Sequence, residues 1–226
     1  MKHVIQAEHL ASDKVFIFGK GPSFDPTIEI PKGCKVYTIN QTAIQVYQHH
    51  NIDLCICNDL EPLLDVLLTS IRHAHTGIHF ALPVSIHRDE VNIFRGGDVV
   101  GTVIERAGFT PWFFDLHTGS LHHFGGPSSL LGDDGILPFD SATTYISALI
   151  IALHHGAKTI YTNGIDGGKK RHKTFKETHQ TYKPNYDLQF KQEKMWLKQF
   201  NAEVVHEKRV LNPLNFLSKQ LMMQEA

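Results

Sequence analysis

Cysteine is scarce in this 226-residue chain: there are three residues, Cys34, Cys55 and Cys57, and no CxxC. Three thiols cannot pair completely, so the sequence supports neither a disulfide framework nor a cysteine-rich zinc site, and a reducing compartment is expected. Long hydrophobic runs are also missing. The best one, Tyr145 to Leu153, is about half of the roughly 18 residues that a membrane span needs. Met1 to His9 lacks the apolar segment of a signal peptide, so a cytoplasmic location without a transmembrane segment is expected. An excess of one charge is absent too, with 22 Lys and Arg against 23 Asp and Glu. No basic surplus is available to neutralise a nucleic-acid backbone, although a small anionic ligand at one local site remains compatible with that balance.

What is present is an ordinary globular composition, 42% hydrophobic and 20% charged, at a length suited to one domain covering 1–226. Histidine is unusually frequent, with 16 residues. Most of them suit surfaces or helix ends; His154-His155, at a helix C-terminus, is favourably placed against the helix dipole.

Short apolar runs alternate with helix-like segments, the pattern of a parallel α/β sheet. Val15–Phe18, Val36–Ile39, Asp53–Cys57, Ile78–Leu82, Lys158–Tyr161 and Ala202–His206 read as strands. Ser141–His155, Tyr186–Phe200 and Asn212–Met222 read as helices, the first stopped by Gly156. Residues 85–138, rich in Gly and Pro, read as a continuation of the sheet with long loops over its edge. The expected fold is α/β, a Rossmann-like, mostly parallel sheet with helices on both faces and a loop-rich lid at 167–184.

Ligands of open parallel sheets bind beyond the carboxyl ends of the strands. That rule selects Gly19, Gly21, Pro22 and Ser23, then Asn40 and Gln41, then Asn58 and Asp59, and finally Asn163 and Asp166. Small residues let backbone N–H groups approach a phosphate, with Pro22 in a first helical turn, while amides offer donors and acceptors to a base or ribose. Singly, each has a plainer role: Gly-x-Gly is a tight turn, and an Asn is a turn former or cap. The missing third glycine, and Asn40 where an acidic residue would end the second strand, speak against NAD or FAD.

Gly19-Lys20-Gly21-Pro22-Ser23-Phe24 resembles the first motif of the bacterial family 42 sialyltransferases and the related DUF115 proteins. Thr38-Ile39-Asn40-Gln41 resembles their second-strand motif, and Ser141 to Asp166, ending Asn163-Gly164-Ile165-Asp166, their helix–strand block. The resemblance spans about 70 residues and implies transfer of a sugar from a CMP-activated donor to a glycan hydroxyl, with no obligatory metal and a homo-oligomeric assembly. It assigns donor binding to Gly19, Gly21, Pro22, Ser23, Asn40, Gln41, Asn58, Ser141, Thr143 and Asn163, and places Asp166 near acceptor or ribose. Where the family carries phosphate-binding tyrosines after Gly-Ile-Asp, this chain has Gly167-Gly168-Lys169-Lys170.

From Lys169 to Lys183 six basic residues stand against Glu177 alone. Such a run is either a solvated loop or, after Asp166, a lid. Glycosyl transfer needs a base for the acceptor hydroxyl and cations or hydroxyls for the leaving phosphate. His179 or His172 fits the first role; Lys170, Arg171 and Tyr182 fit the second. A rival reading takes Asp59 and Glu61 as Mg²⁺ ligands for ATP, as in the related pterin diphosphokinases, though the same two residues suit the start of a helix. A third reading is a member that binds a nucleotide or a partner without catalysis. His73-Ala74-His75 would point to opposite faces of a strand, so no metal is assigned there.

Overall fold

The computed structural model describes residues 10–75, 77–83, 86–88, 92–94, 97–117, 137–140, 143–167, 172–175 and 186–207. In chain order the elements are β1 (Lys14–Phe18), β2 (Lys35–Ile39), α1 (Thr42–Val46), β3 (Leu54–Ile56), α2 (Leu60–Arg72) and β4 (His79–Pro83). There follow β5 (Ile86–Arg88), β6 (Asn92–Phe94), α3 (Gly97–Arg106), β7 (Thr110–His117) and β8 (Leu137–Asp140). The last are α4 (Thr144–His154), β9 (Thr159–Asn163), α5 (Tyr186–Phe200) and β10 (Glu203–Glu207). Eight strands make one sheet in the order β10-β9-β1-β2-β3-β4-β7-β8, and every neighbouring pair is parallel. This is the expected α/β, Rossmann-like fold.

The strands are apolar on both sides because both faces are covered. Side chains alternate across a strand, so Val15, Ile17, Tyr37, Leu54 and Ile56 pack with α4 and Trp196 on one face. Phe16, Phe18, Cys55, Phe80 and Leu82 pack with α1, α2 and α3 on the other. Helix α4 is buried from Tyr145 through Leu153, as a helix apolar all round must be. Thr143 caps its start, accepting from the Ile146 N–H at 3.4 Å. Its end closes on Gly156, at φ +92°, with Gly156 N–H donating to Leu153 O and Ala157 N–H to Ala152 O, both at 3.1 Å. That is the helix stop the sequence signals.

A partly buried polar chain fastens α5 to α4 and the sheet. Tyr145 OH donates to Glu193 Oε2 at 2.6 Å, the other Glu193 oxygen lies 3.4 Å from His206 Nε2, and His206 Nδ1 lies 2.7 Å from Thr162 Oγ1. Burial, and then the Glu193 carboxylate, push the Tyr145 phenol well above its usual range.

Three expectations are revised. Pro22 is not in a helix: Gly21 to Phe24 is a tight turn, closed by Phe24 N–H on Gly21 O at 3.0 Å, and no helix occurs between β1 and β2. Pro26 and Pro31 bracket the β-branched Thr27, Ile28 and Ile30, and Asp25 Oδ1 holds Thr27 in a local turn, so this stretch resists helix formation. His73 and His75 lie in the turn that ends α2, not on a strand; Ala74 is at φ +51° and the two rings stack at 5.8 Å. Within 85–138, β7 and β8 extend the sheet as expected, but β5 and β6 form a separate antiparallel pair and α3 covers the second face. The expected helix at Asn212–Met222 lies outside the described residues.

His154 also behaves differently from a dipole partner. Burial lowers its pKa from the ordinary 6.5, so packing against Phe200, at 4.9 Å between rings, outweighs the attraction of the helix end. Burial is likewise the main cause lowering the pKa of His50 and His75. With folded-state pKa values depressed, the unfolded chain takes up protons first as pH falls. The contribution is complete above about pH 6.5 and is lost as pH falls through the lower folded-state values. His154→Leu should therefore flatten the acid side of the stability profile, measured by urea unfolding at several pH values between 7.5 and 5. An unchanged slope would remove His154 from that account.

Candidate functional site

The loops that leave β1 and β9 meet at the carboxyl end of the sheet and bind each other. Gly19 N–H donates to Asn163 O and Gly21 N–H to Gly164 O, each at 2.7 Å. Asp166 Oδ2 accepts from both the N–H and the hydroxyl of Ser23 at 2.9 Å, and Ser23 Oγ accepts from Gly164 N–H at 3.1 Å. Asn163 is fully buried; its Oδ1 accepts from Asp25 N–H at 2.6 Å, and its Nδ2 donates to Ser23 O at 3.0 Å and Glu207 O at 3.1 Å.

This clasp explains the glycines. A Cβ at Gly19 would stand 2.5 Å from Gly164 O, one at Gly21 2.7 Å from the same oxygen, and one at Gly164 2.7 Å from the Gly19 carbonyl carbon. The small residues thus permit two backbones to touch, and the expected phosphate cradle is not what they form. The N–H groups of Gly19, Gly21, Ser23 and Phe24 are engaged within the protein, and Pro22 has none. Asp166 and Asn163 are latch residues in the same assembly.

The ends of β2 and β3 are different. Asn40 adopts φ +53° and donates its N–H to Ile56 O at 2.9 Å, yet its buried Oδ1 has no hydrogen-bond partner among the described residues. Asn58 is 7% exposed; its Nδ2 donates to Ser147 Oγ at 3.2 Å, and its Oδ1 is likewise buried without a partner. Leaving such acceptors unsatisfied costs about 1–3 kcal/mol each, and a ligand bearing donor groups removes that cost. Gln41 joins Lys20 Nζ, through its Oε1, to Asp65 Oδ2, at 3.1 Å from its Nε2.

The segment 172–175 returns to this end of the sheet. His172 N–H donates to Lys20 O at 2.8 Å, Phe175 packs 5.0 Å from Phe24, and Lys20 Nζ sits 5.9 Å from the Phe175 ring centre. His172 Nδ1 accepts the Thr174 N–H at 3.3 Å. The Thr174 hydroxyl lies 2.9 Å from the same nitrogen.

The remaining candidates divide as follows. Thr143 gives its hydroxyl proton to Gln189 Oε1 at 2.8 Å and acts as the α4 cap. Asp59 is the N-cap residue of α2 and Glu61 lies in its first turn; among the described residues no group of three or more His, Cys, Asp and Glu is arranged to hold a metal. Ser141, Lys170, Arg171, His179 and Tyr182 lie outside the described residues. The sequence reading passed over Asp65 and Phe175, which carry no motif of their own, and did not single out Lys20 as a site residue, although it stands inside the Gly19–Phe24 motif. It also passed over Ser147, whose signal was available: it is the one hydroxyl between Ile146 and Leu153 in an otherwise apolar run.

No family model and no curated protein matches this chain. Among solved structures, it is similar to the monofunctional α-2,3-sialyltransferase Cst-I of Campylobacter jejuni, with a TM-score of 0.56 at 13% identity, over 95% of this chain and 81% of that one. The sialyltransferase CstII of the same organism, in complex with the substrate analogue CMP-3FNeuAc, gives a TM-score of 0.49 at 13% identity, over 90% and 84% of the two chains. The likeness to Cst-I is one of fold. Among the described residues no helix is long and apolar enough to cross a membrane.

If the clasp holds the two loops together, Ser23→Ala should lower unfolding stability by about 2 kcal/mol, the scale of hydrogen bonds to a charged group. Gly21→Ala should cost more, because its Cβ meets a backbone oxygen that cannot swing aside. Urea unfolding of both variants checks this; a Gly21→Ala protein as stable as the wild type would refute the close-approach account.

Proposed function

We propose that the chain is a glycosyltransferase of the sialyltransferase kind, moving a sugar from a CMP-activated donor to a hydroxyl of a glycan acceptor. The observation that carries this reading is the pair of buried amide oxygens, Asn40 Oδ1 and Asn58 Oδ1, at the carboxyl ends of adjacent parallel strands, where such sheets bind ligands. It is supported by the two motifs that meet in the clasp, and by the similarity in fold to the sialyltransferase Cst-I.

In this reading Asn40 and Asn58 accept hydrogen bonds from the nucleoside or sugar, and the clasp keeps the β1 and β9 loops at a fixed separation beside them. The acceptor hydroxyl attacks the anomeric carbon, the bond from that carbon to the phosphate oxygen breaks, and the nucleotide leaves with the electron pair. His179, or else His172, takes the hydroxyl proton. Lys170, Arg171 and Tyr182 stabilise charge on the departing phosphate. No step calls for a metal.

A thermal-shift comparison of CMP, CDP, ATP and GTP, each with and without Mg²⁺, tests the donor class. CMP at a hundredfold excess over its Kd should stabilise by about 2.7 kcal/mol, roughly 5–10 °C for a domain of this size, with or without the metal. Stabilisation by ATP that requires Mg²⁺ would instead support a diphosphokinase using Asp59 and Glu61; no shift with any nucleotide would support a member that binds a partner. His179→Ala should reduce transfer by about 10²–10⁴-fold while leaving CMP affinity within about twofold of wild type, as isothermal titration would show. Normal turnover in that variant would exclude His179 as the base.

A further inference from the structure

We infer that Ser147 is a positioning residue that fixes the polarity of Asn58, so that this end of β3 offers its ligand an acceptor and not a donor. An asparagine amide has a donor end and an acceptor end of almost equal size, and rotation by half a turn exchanges them. A site that must read one ligand group therefore needs something to hold the amide one way round. Here the Nδ2 end is held: it donates to Ser147 Oγ at 3.2 Å, with Asn58 7% exposed and Ser147 fully buried. A serine inside a helix ordinarily gives its own proton to the carbonyl one turn back, and its lone pairs then accept.

The position of Ser147 points the same way. From Tyr145 to Leu153 every residue of α4 is buried, and between Ile146 and Leu153 Ser147 is the one that is polar. Alanine there would pack as well and favour the helix more, so helix stability does not account for the hydroxyl. The hydroxyl oxygen accepts from Asn58 Nδ2, and the opposite end of that amide is the orphaned acceptor. With Asn40 Oδ1 similarly orphaned one strand away, the pair suits a ligand that presents O–H or N–H donors. In a cytidine nucleotide these are the ribose hydroxyls and the amino group of the base.

The ligand's identity rests on the nucleotide reading above; the orientation of Asn58 does not. Ser147→Ala is the test, with two readouts. The first is hydrogen exchange of the Asn58 side-chain amide in a ¹⁵N-labelled protein, its signals assigned through Asn58→Asp. Protection in the wild type that falls about tenfold or more in Ser147→Ala is expected, at an unfolding midpoint close to wild type; unchanged exchange would overturn the inference. The second is affinity for CMP, 2′,3′-dideoxy-CMP and UMP, which remove the ribose hydroxyls and the base amino group in turn. One analogue should bind the wild type about tenfold more weakly than CMP, and Ser147→Ala should abolish that difference. If the same penalty persists in the variant, Ser147 does not set the polarity of the site. A wild type that binds none of the three removes the nucleotide reading, while an exchange result as expected still supports the orientation of Asn58.

Discussion

The structure depends on two backbones coming closer than side chains would allow. Gly19 and Gly21 on one loop, and Gly164 on the other, let the ends of β1 and β9 exchange hydrogen bonds across a gap with no room for a Cβ. β9 and β1 are the second and third strands from the β10 edge of the sheet, and this contact joins their loops at its carboxyl end. Asn163 and Asp166 reinforce it from the β9 side, Ser23 from the β1 side. Two of the buried polar groups without a partner among the described residues, the amide oxygens of Asn40 and Asn58, lie beyond it, just past the ends of β2 and β3.

Two kinds of polar residue thus occupy one rim. Those of the clasp are satisfied by one another and act as parts of the scaffold. Those on β2 and β3 are held by the scaffold on one side and left with an acceptor on the other. That division follows from hydrogen-bond inventory: Ser23, Asn163 and Asp166 find complementary groups on the facing loop, whereas Asn40 and Asn58 end strands whose backbone partners are already paired.

Much of the fold was legible because a doubly covered parallel sheet writes itself as short apolar runs. Val15–Phe18 and Val36–Ile39 fall inside β1 and β2, and Tyr186–Phe200 coincides with α5. The stretch after β1 was misread because Gly-x-Gly-Pro-Ser looks alike whether its amides face a ligand or another loop; only the β9 loop, far away in sequence, distinguishes the two. His73 and His75 were misread because the end of α2 carries no glycine, and Ala74 takes the left-handed conformation instead. In the candidate site the strand-end positions of Asn40 and Asn58 were readable from period and turn signals. The satisfied state of Gly19, Ser23, Asn163 and Asp166 was not, since it depends on contacts about 140 residues apart in the chain.

The polar chain from Tyr145 through Glu193 to His206 has a consequence for how the sequence between Asp166 and α5 is anchored. It fixes α5, while the clasp fixes Asp166, so the chain between them is tethered at both ends. The contacts of His172 with Lys20 and of Phe175 with Phe24 add a third point of attachment between those two. A long tether is thereby divided into two short ones, and loop-closure entropy rises only with the logarithm of length. Lys169, Lys170 and Arg171 belong to the shorter of the two. A short tether has less chain entropy to lose on closure than a long one.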